Sequence, residues 1–169
     1  NLGSTGLATN DQPRNYWRAP YASIAVTADS GRYIFNNLAP FPLLTASEVL
    51  FTKAEAAFRK GNKALALSTY KRAIELNFEM LTTEYQSRIP WASLITPASQ
   101  AAYLTNPKVM PADANGLTLS HIMLQKYIAL YGFGFSETWS DMRRYRYLDL
   151  DPVTGKKVYV GFTLPSTIH

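Results

Sequence analysis

Apolar residues fall at helical spacing in the middle of the chain and lose that order at both ends. From Thr45 onward, Val49, Leu50, Ala54, Ala57 and Phe58 recur at the 3.6-residue period of one helix face. Thr45-Ala-Ser-Glu48 before them is a capping box: the hydroxyl serves the third amide of the helix, and the carboxylate reaches back. Gly61 predicts a left-handed stop, and Asn62 a cap for the next helix. In that helix Ala66, Thr69, Tyr70, Ala73, Ile74, Asn77 and Leu81 form one face. The pattern predicts two antiparallel helices, 46–60 and 63–82, joined by a very short turn.

After the hairpin the period disappears. Residues 83–117 carry Pro90, Pro97, Pro107, Pro111 and Gly116 and read as a long loop, a feature that in compact domains is often functional. Thr118 or Ser120 then caps a third helix, with Leu119, Ile122, Met123, Tyr127, Leu130 and Tyr131 at helical spacing. Gly132-Phe-Gly134 stops it, and a fourth helix runs from about Ser136 to Tyr145. Residues 148–169 form an irregular tail, with a turn at Asp151–Gly155 and a strand-like alternation over Val158–Phe162. Residues 1–40 are a Gly- and Pro-punctuated lead-in, with a short strand signal at Ser23–Thr27. The fold class is therefore mainly α: a helical hairpin, further helices, and a long loop-rich ligand or partner region.

The hairpin spacing resembles a tetratricopeptide pair, in which small residues let two helices approach and an aromatic fills the gap. Ala54 stands where that pattern prefers Gly, and an ordinary helical hairpin accounts for the same residues. No second copy follows. Solenoid repeats need about three neighbours to bury a core, so a lone pair is expected to belong with further repeats upstream.

Composition narrows the chemistry. The 169 residues are 47% apolar and 13% aromatic, and they contain no cysteine. That excludes disordered chains, disulfide scaffolds, thiolate metal sites and catalytic thiols. No apolar run reaches the roughly 18 residues of a membrane-spanning helix. The net charge is +5, but Asp141, Asp149 and Asp151 interleave with Arg143, Arg144 and Arg146, which argues against a nucleic-acid surface. The only histidines are His121, at the start of the third helix, and His169, the last residue. No His-x-x-x-His pair, nucleophile elbow or phosphate loop is present. Glu137 and Asp141, four apart on one helix, read as structural carboxylates, Asp141 pairing with Arg143 or Arg144. Trp139 is expected to be buried against the third helix. The chain is read as a binding protein with no catalytic residue, cofactor or metal.

Three stretches together resemble the SusD/RagB family of outer-membrane nutrient-binding lipoproteins. The first runs from Pro40 through Ser47-Glu-Val-Leu-Phe-Thr-Lys-Ala-Glu55 to Ala57, then Gly61 and Ala64. The second is Tyr103-Leu104 with Pro107 and Val109. The third is Ile122–Leu130 followed by Glu137-Thr-Trp-Ser-Asp-Met-Arg-Arg-Tyr145. The resemblance implies a helical fold with tetratricopeptide-like pairs and an irregular ligand region. It further implies an oligosaccharide or other nutrient as ligand, and a lipid anchor at the surface of a Gram-negative outer membrane. The implied partner is a SusC-like TonB-dependent channel in polysaccharide uptake. Family members run to several hundred residues, so residues 1–169 are expected to be one region from the C-terminal part of a larger domain, without its lipid-bearing cysteine.

Sugars present apolar C–H faces and a rim of hydroxyls, and are held by an aromatic ring under the face and polar groups at the rim. Loop aromatics are the candidates: Tyr16, Trp17 and Tyr21 near the N-terminus, and Trp91 with Arg88 after the hairpin. A tetratricopeptide-type interaction module with no small-molecule site is the competing reading.

Overall fold

The computed structural model describes residues 33–35, 39–86 and 94–163. Its regular structure is helical: α1 (Ala46–Arg59), α2 (Lys63–Met80), α3 (Pro97–Thr105), α4 (Leu119–Ala129) and α5 (Phe135–Arg144), with a 3-10 turn at Tyr33–Phe35 and a π turn at Leu81–Tyr85. Among the described residues there is no strand; one antiparallel bridge joins Leu150 and Lys157. The expected strand at Ser23–Thr27 lies outside the described residues. The chain is mainly α, as its periodicity indicates.

The residues group into two compact units, one from Asn1–Leu43 and Phe78–Thr96, the other from Leu44–Asn77 and Pro97–His169. In the first, Tyr33 and Tyr85 are buried together, with Ile34, Met80, Leu81, Leu94 and Ile95 around them. Tyr85 donates its hydroxyl to the Pro40 carbonyl at 2.9 Å. The Gln86 amide clasps the backbone of Ile95, accepting from its N–H at 2.9 Å. The π turn follows from Thr82 and Thr83, whose hydroxyls bond back to Phe78 O (2.9 Å) and Glu79 O (2.8 Å) and loosen the last turn of α2.

The second unit is built on the hairpin. Thr45 Oγ1 accepts from Glu48 N–H at 3.1 Å, and the Thr45 amide in turn steadies the Glu48 carboxylate. At the far end Gly61 takes φ +78°. Gly61 N–H reaches Phe58 O and Asn62 N–H reaches Ala57 O, both at 2.9 Å, the pair of bonds that closes a Schellman cap. Asn62 Oδ1 then caps α2 through Leu65 N–H at 3.1 Å. Between the helices the buried Ser47 hydroxyl bonds Ala73 O at 2.8 Å. Phe51 meets Tyr70 edge-on with centroids 6.1 Å apart. Ala54, Ala66 and Ala73 are fully buried between them, the small-residue seam of a tetratricopeptide-like pair.

Three expectations need correction. The buried face of α1 is Ser47, Phe51, Ala54, Glu55, Ala57 and Phe58, while Val49 is half exposed. The face is rotated because a large aromatic and a paired carboxylate take the core positions ahead of a small aliphatic. Residues 83–117 are not one loop: Pro97 opens α3, where its missing N–H costs nothing. That helix is tied down by Tyr103, which donates its hydroxyl to Gln125 Oε1 at 2.8 Å. Val158–Phe162 is not a strand either: neighbours Val158 and Tyr159 are both buried, which alternation forbids. The turn at Asp151–Gly155 is present. Asp151 Oδ1 accepts from Val153 N–H at 2.9 Å, and Gly155 takes φ +66°.

Candidate functional site

Helix α4 begins on two oxygen caps. Thr118 Oγ1 accepts from His121 N–H at 3.1 Å, while His121 Nδ1 accepts from Thr118 N–H at 3.2 Å. A ring nitrogen that accepts carries no proton, so the proton sits on Nε2. Asp151, fully buried, brings Oδ2 to Ser120 N–H at 2.7 Å. A carboxylate against the first turn also suits the positive end of the helix dipole. The tail is thereby pinned to α4.

A cluster of charges locks α5 to α1 and α4. Glu55, only 5% exposed, receives both guanidinium nitrogens of Arg144, with Nη2 at 2.8 Å from Oε2. It also receives the Tyr145 hydroxyl at 2.5 Å and Arg59 Nε at 3.0 Å. Asp141 takes Arg144 Nη2 on one oxygen and Lys126 Nζ on the other, both at 2.7 Å. Burial alone raises the Glu55 pKa, but its donors outweigh burial and hold the carboxyl below the usual range. Burial, followed by the bond to Glu55, pushes the Tyr145 phenol up to about 12. The Tyr145 ring lies beneath the guanidiniums of Arg59 (5.1 Å) and Arg144 (4.8 Å). Each of these acids is fully engaged in ion pairs, which is the chemistry of a structural clasp. Glu137, at the start of α5, accepts from the Ser136 hydroxyl at 3.0 Å.

With the charged stripe of α5 turned inward, its aromatic stripe is left outside. Phe135, Trp139 and Met142 lie at i, i+4 and i+7 on one face. Phe135 is 78% exposed and Trp139 is 55% exposed, so Trp139 is not the buried anchor the sequence suggests. Arg143 stacks its guanidinium 4.6 Å from the indole centroid. Across from this stripe, Tyr127 and Tyr131 at the end of α4 pair with centroids 6.4 Å apart. The residues enclose an open cleft of about 290 Å³ lined by Tyr127, Leu130, Tyr131, Phe135, Trp139 and Met142. A second cleft of about 640 Å³ shares Tyr127, and is lined otherwise by Tyr70, Lys108, His121, Gln125 and Val160 among others.

The family model for starch-binding proteins associating with the outer membrane, the SusD-like group, matches residues 7–162. The chain belongs to this family. No curated protein and no solved structure matches it. Membership gives a SusD-like protein carbohydrate binding in association with the outer membrane as its general role. The two most specific stretches of the SusD resemblance meet at the clasp: Glu55 comes from the first and Asp141, Arg144 and Tyr145 from the third. Those residues hold the SusD-like helices together.

The five predicted contact residues, Tyr16, Trp17, Tyr21, Arg88 and Trp91, all lie outside the described residues. Phe135, Trp139 and Tyr127 were missed as surface residues. The signal was available: aromatics at 135 and 139 share a stripe offset from the charges at 141 and 144. Only knowledge of which stripe faces the core turns that into a site. Among the described residues no group of three or more His, Asp or Glu is placed to hold a metal ion. No described helix is long and apolar enough to cross a membrane.

Proposed function

We propose that this SusD-like protein captures a nutrient oligosaccharide at the cell surface and hands it unaltered to a SusC-like TonB-dependent channel. It is tethered to the outer membrane of a Gram-negative bacterium by an N-terminal lipid. The observation that carries the reading is the starch-binding family match over residues 7–162. The chemistry agrees with it: 22 aromatic residues, from eleven Tyr, eight Phe and three Trp, supply stacking surfaces for neutral rings. Tyr16, Trp17, Tyr21 and Trp91 are proposed as stacking contacts, with Arg88 bonding hydroxyls at the rim.

Isothermal titration against a panel of glucans, host glycans and plant oligosaccharides tests the reading. Saturable binding of one glycan class, with the sugar recovered at its original length, is the expected outcome. Absence of binding to every glycan, together with co-purification of the channel, favours the competing reading as a protein-interaction module. That alternative draws on the tetratricopeptide-like seam between α1 and α2.

A further inference from the structure

We infer that the cleft between α4 and α5 is a sugar-ring subsite, with Trp139 as its aromatic wall and Arg143 stacked on the other side of that ring. The inference rests on the carbohydrate-binding reading above and adds a place for the ligand that the loop aromatics do not supply. Four observations carry it. First, Trp139 and Phe135 are exposed side by side on one helix, at 55% and 78%. Two large exposed rings one helical turn apart mark a surface that meets something. Second, the cleft beside them, about 290 Å³, lies just under the roughly 300 Å³ at which ligand pockets begin, a size that suits a single ring.

Third, the lining suits a neutral ligand. Its side chains are aromatic and aliphatic apart from Thr138 and the Tyr127 and Tyr131 hydroxyls, and no carboxylate is among them. The nearby acids are occupied elsewhere: Asp141 by Lys126 and Arg144, Glu137 by Ser136. Fourth, Arg143 forms no ion pair among the described residues and rests on the indole. Its five N–H donors are therefore held next to the cleft's indole without a carboxylate partner, left for ring hydroxyls that reach past the indole edge. An apolar face with a few donors at its edge is the complement of a sugar, with its C–H face and hydroxyl rim. Tyr127 borders both this cleft and the larger one.

The test is isothermal titration of the full chain with maltoheptaose, using the unaltered protein, Trp139→Ala, Trp139→Phe and Arg143→Leu. Thermal midpoints are recorded to confirm that each variant is folded. Binding weakened about tenfold or more in Trp139→Ala, partly restored in Trp139→Phe and weakened in Arg143→Leu, supports the subsite. Binding by the unaltered protein that Trp139→Ala leaves unchanged overturns the subsite while the sugar-binding reading stands. No binding by the unaltered protein to maltoheptaose or to any glycan of the panel overturns both. Concentration-dependent self-association that Trp139→Ala abolishes also overturns the subsite, because the stripe then belongs to contact between two copies.

Discussion

His121 shows how one side chain can be read two ways. A lone histidine on a helix invites a catalytic or metal-binding role, yet here the ring completes a capping box with Thr118 at 3.1 and 3.2 Å. Burial lowers its pKa, and the nearby Asp151 pulls less strongly the other way. The folded ring therefore titrates below the ~6.5 of a free histidine. The sign follows from linkage. The unfolded chain binds the proton first, so this contribution to stability is full above pH ~6.5 and declines as pH falls toward the folded value. Protonation also turns Nδ1 from acceptor to donor and breaks the bond from Thr118 N–H. Proton NMR of the imidazole should show His121 titrating below the ~6.5 of a free histidine. Titration of His121 at or above the free value would contradict its burial at the helix start. The sequence already places His121 in a first turn; it does not reveal that Asp151, 31 residues beyond Ser120, serves the same helix end.

At the scale of elements, the punctuation was legible and the facing was not. Thr45, Gly61, Asn62 and Thr118 each act within three to five residues of themselves, so local rules locate them. Which stripe of α5 turns inward depends on Glu55 and Lys126, far away in sequence, and hydrophobicity alone points to the wrong stripe. Two glycines separate conformational from steric cost. Gly61 has φ +78° with open space around a would-be Cβ, so Gly61→Ala should cost about 1 kcal/mol through backbone strain alone. At Gly134 an added Cβ would lie 2.8 Å from Leu130 Cδ2 and 2.9 Å from its Cβ. Leu130 is only 1% exposed and has little room to move. Gly134→Ala should cost roughly 1–3 kcal/mol, as overpacking does. Urea unfolding of both variants checks the order; an equal or reversed cost would mean that the α4–α5 corner yields more readily than its packing suggests.

For the molecule as a whole, acid is the expected weakness. The Glu55 carboxyl titrates below the ~4.3 of a free glutamate because Arg144, Tyr145 and Arg59 together outweigh its burial. Its stabilisation is full above pH ~4.3 and is lost as pH falls through the folded value, adding to the earlier loss from His121. Glu55→Gln should lower stability at pH 7 by ~2–3 kcal/mol, because it leaves Arg144 and Tyr145 short of an acceptor. The cost is kept moderate by the 44% exposure of the Arg144 side chain. The same variant should flatten the acid limb of a plot of unfolding midpoint against pH. An unchanged acid limb would mean that other carboxylates dominate it.

The clasp also bears on the order in which the chain assembles. Arg144 and Glu55 stand 89 residues apart, whereas Ser47 and Ala73, which join the hairpin, are separated by 26. Closing a longer loop costs more chain entropy, and contacts distant in sequence tend to form late. The α1–α2 hairpin is thus expected to assemble early, with Glu55 waiting for a partner that joins after the main barrier has been crossed. An interaction made on that far side does little to speed folding; it slows unfolding instead. The two arginine–carboxylate bonds thus act as a lock on lifetime more than as a guide to the fold.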